Sequence, residues 1–188
     1  MMLAWAGAGC ASQDPFSGEI TGDQTVAQTC WPDSTPSDTG TVDIGTSAPF
    51  AVLDDDAPVT LVVGNQGEVH LDVQARIGQL SAGEPGNARS PLNPYTRFFA
   101  TAEEGTELGN FPCGLRFPYV TAAEDDQQLL DRDVVLPLYN HLIPPDTASD
   151  HIGERIRIGV EVMDANMRYA FDEHWVTIAE VRQPSSGP

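Results

Sequence analysis

The sequence predicts an all-β fold, a two-sheet antiparallel sandwich over residues 41–182, and three observations carry that expectation. Residues 68–77 alternate without a break: Val69, Leu71, Val73, Ala75 and Ile77 form one row, and Glu68, His70, Asp72, Gln74 and Arg76 the other. Ten residues of period two describe a strand buried on one face. Residues 155–162 repeat the pattern, with Ile156, Ile158, Val160 and Val162 inward against Arg155, Arg157 and Glu161. Turn-forming clusters then punctuate the chain at 54–58, 64–67, 83–87, 105–110 and 164–166. Many short strands separated in this way are the mark of a sandwich.

In chain order, the first feature is an apolar run over residues 1–9 that ends at Cys10, followed by a tract of Ser, Thr, Asp, Gly, Pro and Gln. Small residues before a cysteine and a flexible acidic tract after it are what a bacterial lipoprotein signal peptide presents. The expectation is a signal-peptide remnant at 1–9, a lipid on Cys10, and an acylated flexible linker over 10–40, too poor in apolar residues to offset chain entropy. That places the protein at the bacterial cell envelope, lipid-anchored, on the outer membrane. The run itself is too short to span a bilayer. Cys30 and Cys113 are then left as a disulfide in an oxidising compartment, worth roughly 4–5 kcal/mol through the long loop it closes, or as two free buried thiols.

The expected strands are 42–45, 59–63, 68–77, 96–101, 115–120, 134–138, 155–162 and 168–181. The capping-box spacing of Thr121 and Glu124 suggests a short helical turn ahead of Leu129. Residues 140–153, with Pro144 and Pro145, read as a long loop, and 183–188 as a disordered tail. The expected core is the two inward rows together with Val59, Leu61, Phe98, Phe117, Leu136 and Trp175, each large side chain contributing roughly 1.5–3 kcal/mol on burial.

Two stretches carry resemblances. The segment "FAVLDDDAPVTLVVGNQGEVHLDVQARIGQL", residues 50–80, resembles a region of predicted lipoproteins of myxobacteria and related bacteria, in which a Gly-x-Gln-Gly-x-x-His turn leads into a long alternating strand. Here the turn is Gly64-Asn65-Gln66-Gly67, His70 follows, and Glu68 stands where those proteins have a further glycine. This resemblance implies compartment and class, and no mechanism. The segment "RIRIGVEVMDANMRYAFDEHWVTI", residues 155–178, is similar to the last hairpin of immunoglobulin-like and PKD-like extracellular modules, with Met167 at the position of their usual turn glycine. It implies an immunoglobulin-like form of the sandwich.

Charge narrows the partners. The 188 residues carry 28 acidic and 9 basic side chains, a formal net charge of −19, and every basic residue is an arginine. Such a field repels nucleic acid and anionic headgroups. Two sets of residues have the chemistry of metal ligands. His70 flanked by Glu68 and Asp72 offers a carboxylate–histidine–carboxylate stripe for a divalent metal, or simply a solvated strand face. Asp54, Asp55 and Asp56 with Asp164 and Asp172 offer hard oxygens for calcium, or simply soluble turn residues. Nucleophile motifs and phosphate-cradling loops are missing. The expectation is therefore a non-enzymatic envelope module, without a cofactor, that binds or scaffolds an envelope protein or surface glycan. The alternative is a protein dependent on calcium or another divalent metal, or a carbohydrate binder with an aromatic platform.

Overall fold

The computed structural model of the chain describes residues 37–38, 40–46, 49–110, 115–121, 128–132 and 134–183. Cys10, Cys30 and Cys113, the signal remnant, the linker up to residue 36, residues 122–124 of the expected helical turn and the tail beyond 183 lie outside them. The strands are β1 (Ser37–Asp38), β2 (Thr41–Thr46), β3 (Ala51–Val52), β4 (Pro58–Val63), β5 (Val69–Gly78), β6 (Tyr95–Ala102), β7 (Glu107–Asn110), β8 (Tyr119–Thr121), β9 (Gln128–Leu130), β10 (Val134–Leu138), β11 (Arg155–Met163) and β12 (Arg168–Arg182). One 3₁₀ turn, Ala148–His151, interrupts the loop before β11.

The fold is an all-β sandwich. A front sheet runs β4–β12–β11–β6–β7, and a back sheet is built around β5, with β3, β2, β9, β8 and β10. The long alternating strand β5 is the hinge of the arrangement. Its first half pairs with β10 and briefly with β4, and its second half with β2 and β9. After two residue pairs with β5, β4 leaves it and runs parallel to β12, joining the sheets along one edge. At the other edge the Tyr139 N–H donates to the Leu108 carbonyl at 2.7 Å. Because β4 crosses between layers, the sheet is mixed, with β4 and β1 both parallel to β12.

Both inward rows are buried as the alternation requires, and Val59, Leu61, Phe98 and Leu136 join them. Tyr119 is fully buried with its hydroxyl 2.9 Å from that of Thr96. Burial pushes this phenol well above its ordinary value, and the Thr96 hydrogen bond offsets part of the rise. Phe117 only packs against the edge of the core. Trp175 is not in the core at all. It sits on the outer row of β12, opposite Arg157, because that strand carries apolar residues on both rows and hydrophobicity alone does not say which turns inward.

Three local expectations change. The strand at 115–120 contracts to β8, since Pro118 has no N–H for a ladder; Thr96 N–H reaches the Leu115 carbonyl and Phe117 N–H the Pro94 carbonyl instead. Only the first part of 105–110 is a turn, and Glu107–Asn110 pairs with β6 across a bulge. Gln128–Leu130 extends as a strand because β5 and β8 both pair with it.

Candidate functional site

The residues expected as a metal stripe are only partly brought together. His70 and Asp72 share the outer row of β5, with His70 Nε2 3.6 Å from Asp72 Oδ1. Val62 of β4 and Pro137 of β10 flank His70 in register, which buries it. Its Nδ1 has no hydrogen-bond partner among the described residues. Asp72 also meets Arg182 at 3.2 Å. Glu68 stands apart: its carboxylate folds back over Gly64 and accepts from the Gln66 N–H at 3.2 Å.

Of the aspartates expected to offer calcium oxygens, Asp55, Asp56 and Asp164 have their carboxylates engaged by the fold. Asp55 accepts from the Trp175 N–H at 3.1 Å and lies 3.4 Å from His174 Nδ1. Asp56 pairs with Arg155 at 2.8 Å. The Asp54 carbonyl accepts from the Ala57 N–H at 3.1 Å. Asp164, in the turn between β11 and β12, is buried; it accepts from the N–H groups of Ser81, Asn166 and Arg168 and from the Arg168 guanidinium, at 2.6–3.0 Å. Burial by itself would raise its carboxyl, but these donors together hold it below the usual carboxylate range. Among the described residues, no group of three or more His, Cys, Asp or Glu side chains is placed to hold a metal ion.

Sequence reasoning weighed Asp172 only as a calcium oxygen and missed the inter-sheet clamp it forms with His174. Asp172 and His174 lie on the inner row of β12. Asp172 accepts from the Ile44 N–H of β2 at 2.8 Å, and His174 Nε2 lies 3.3 Å from its other oxygen. His174 thus sits in line between Asp172 and Asp55 and ties β12 to the back sheet and to the loop before β4. The i, i+2 spacing of Asp172 and His174 was the available signal, since it puts both on one face of a strand.

Two surfaces have the makings of a binding site. On the front sheet, the outer rows of β6, β11 and β12 interleave arginines and aromatics: Arg97–Glu161–Phe171, then Phe99–Gly159–Glu173, then Thr101–Arg157–Trp175. Gly159 is the floor of this face. A Cβ there would fall 2.3 Å from the Phe99 ring, so only glycine lets Phe99 lie flat and stack on Phe171, with centroids 6.2 Å apart. Phe171 remains 45% exposed. The Arg155 and Arg157 guanidinium groups lie 5.6 and 5.8 Å from the Trp175 ring, and that of Arg97 5.8 Å from Phe99, within the range of cation–π attraction.

The second surface is a cleft of about 270 Å3 at the fork where β4 departs from β5. Its lining includes the polar side chains of Thr46, Thr60, Asp72 and Arg182 and the apolar ones of Val59 and Ile158.

The chain matches no protein-family model and no curated protein. Among solved structures, the N-terminal domain of PorA aligns at 10% identity over 74% of this chain and 99% of that one, with a TM-score of 0.24.

Proposed function

We propose that this chain is a non-enzymatic binding or scaffolding module of the bacterial cell envelope, lipid-anchored at Cys10, that engages a protein partner through its front sheet. One observation carries the reading: the arginine and aromatic lattice built on Gly159, with Phe171 standing out from it. Trp, Tyr and Arg are the side chains that dominate protein interfaces, while charged residues other than Arg are depleted at their centres. On a chain of net charge −19, this face sets Arg155 and Arg157 against Asp56, Glu103 and Glu173, over the largely buried Arg97–Glu161 pair, so an approaching protein meets less repulsion there than the overall charge implies. Glu68, Asp55, Asp56, Asp72 and Asp164 are engaged with the protein's own N–H groups and arginines, so the envelope-binding reading is favoured over one in which these carboxylates hold a metal.

The experiment separates anchor from face. Wild type, Cys10→Ser and Phe171→Asp are expressed in the native cells, cross-linked and fractionated. Cys10→Ser should leave the membrane fraction. Phe171→Asp should remain in it while losing at least tenfold of its cross-linked partner. Wild type recovered from the cytosol would end the anchored reading, and undiminished cross-linking by Phe171→Asp would end the assignment of the face.

A further inference from the structure

The acidic residues of the chain are unevenly spread. Residues 85–102 and 108–123 contain no Asp or Glu, although the chain carries 28 of them. The fold brings these two stretches together at one end of the sandwich. Tyr95 bridges to Arg116, the Thr96 N–H donates to the Leu115 carbonyl, and the Phe117 N–H donates to the Pro94 carbonyl. The loop before β6 is built on buried polar groups: Asn93 accepts from the Glu84 N–H at 2.9 Å and donates to the Asn87 carbonyl at 2.8 Å, and Ser90 accepts from the Leu92 N–H at 3.1 Å. Arg116 donates to the carbonyls of Pro91 and Asn93, on either side of Leu92, and its guanidinium lies 3.7 Å from the centre of the Tyr95 ring. Leu92 is therefore held outward in a fixed position, 50% exposed, and Leu115 next to Arg116 is exposed as well. Arg89 is exposed on the same loop.

We propose that this end of the sandwich rests on a lipid bilayer, with Leu92 and Leu115 entering the interface and Arg89 meeting headgroup phosphates. Charge is the first reason for a bilayer. Exposed leucines beside arginines, in a region free of acids, complement a surface that is anionic at the phosphates and apolar beneath them. The net charge of −19 opposes this contact only at long range, because charges more than about 8 Å apart are largely screened at physiological salt. The second reason is where the chain leaves the domain. β1 begins at Ser37, opposite Arg168, beside the row formed by Tyr169, Met163 and Tyr95. Residues 11–36 separate Ser37 from Cys10, and a flexible chain of that length has an r.m.s. span of roughly 30 Å. A lipid on Cys10 keeps the patch at high effective concentration near the bilayer, so a contact too weak to hold the protein by itself still orients it. The strands then rise from the surface and the front face is turned sideways, toward a partner. This inference takes its setting from the proposed anchor, but its test needs no acyl chain.

The test uses the full chain as Cys10→Ser, which cannot be acylated there, with vesicles of phosphatidylethanolamine and phosphatidylglycerol at 3:1 that carry a trace of gadolinium-chelating lipid. Paramagnetic broadening of the amide NMR signals reports which surface meets the bilayer. At 10 mM lipid, the Leu92, Tyr95 and Arg116 amides should broaden at least threefold more than those of Gly105, in the turn beyond the far end of β6, and of the exposed Ile152. Leu92→Asp should reduce that broadening at least threefold while leaving the remaining amide spectrum in place, and Arg89→Glu should reduce it at least twofold. No broadening, or broadening spread evenly over the surface, would overturn the proposal, and this reading depends on no variant at the patch. Undiminished broadening in Leu92→Asp would overturn the role of the loop, and in Arg89→Glu the headgroup contact. The anchor is read separately, by fractionation of cells carrying the wild type: its failure would leave the vesicle result unchanged, and failure of the patch would leave the fractionation unchanged.

Discussion

The hairpins β4–β5 and β11–β12 make the same turn from different residues. In each, the N–H of the first residue donates to the carbonyl four residues on (Gly64 to Glu68, 2.8 Å; Asp164 to Arg168, 3.0 Å). In each, the N–H of the fourth residue returns to the carbonyl of the first (Gly67 to Gly64 and Met167 to Asp164, both 3.0 Å). The fourth residue is left-handed in both, Gly67 at φ 82 and Met167 at φ 63, as expected of a three-residue hairpin loop that ends in a left-handed position. Each turn also uses a carboxylate to cap the third residue's N–H, Glu68 on Gln66 at 3.2 Å and Asp164 on Asn166 at 2.9 Å. The carboxylate comes from opposite ends of the two turns. Glu68 reaches back at the surface, and needs Gly64 because a Cβ there would collide with it. Asp164 is buried and also binds Ser81 and Arg168. The first turn is therefore held by glycine's conformational freedom, and the second by a buried charge that binds more than its own hairpin.

Removing that charge should give the largest effect. Asp164→Ala leaves the N–H groups of Ser81, Asn166 and Arg168 without their acceptor and the partly exposed Arg168 guanidinium without its partner, which costs about 2 kcal/mol or more. Urea unfolding at neutral pH measures it, and a loss below about 1 kcal/mol would mean that water replaces the carboxylate. Protonation offers a milder version of the same cut. The folded-state pKa of Asp164 is depressed, so its stabilisation is complete above the unfolded value near 4 and is lost as pH falls from there through the folded value. Between about pH 5 and pH 2 the wild type should lose more stability than Asp164→Ala.

How much of this was legible in the sequence follows from which forces decide each feature. Val69 to Ile77 and Ile156 to Val162 could be read because burial of one row on one face leaves a period-two record. β12 could be read as a strand but not oriented: Ala170, Val176 and Ile178 on one row compete with Tyr169, Phe171 and Trp175 on the other, and the inward row is settled by Asp172 reaching Ile44 across the sandwich. β7 and β9 were lost for a related reason, because Glu107–Asn110 and Gln128–Leu130 extend only through their pairing with β6 and β5. At the candidate sites, the sequence named Asp72 and His70 but hid the fork beside them, which exists because β4 transfers to β12 after two pairs. No local pattern records that transfer.

Glycine's part in the first turn is open to a smaller test. Gly67 has open space where a Cβ would go, so Gly67→Ala probes the backbone alone. A left-handed non-glycine residue costs roughly 1–2 kcal/mol, and alanine recovers part of this by restricting the unfolded chain. The net loss should be about 1 kcal/mol, read as a shift in the urea midpoint with an unchanged slope. A neutral outcome would mean that the Glu68 and Asn140 contacts (Asn140 donates to the Gly67 carbonyl at 3.1 Å and accepts from the Val69 N–H at 3.3 Å) hold the turn whatever its fourth residue.

The reciprocal change, Met167→Gly, should have the smallest effect and the opposite sign. Glycine removes the left-handed strain at φ 63, a gain of roughly 1–2 kcal/mol, but loosens the unfolded chain by about 0.4–1 kcal/mol and gives up what the half-buried side chain packs against. The balance should be a stabilisation of about 0.5 kcal/mol. Its sign separates two accounts of the hairpin. If the glycine variant is more stable, Met167 is tolerated only because Asp164 fixes the backbone around it, and in an Asp164→Ala background the gain should shrink, since nothing then holds the methionine in the strained conformation. If the variant is less stable, the methionine side chain contributes more by packing than its backbone loses, and the turn is held from both of its ends.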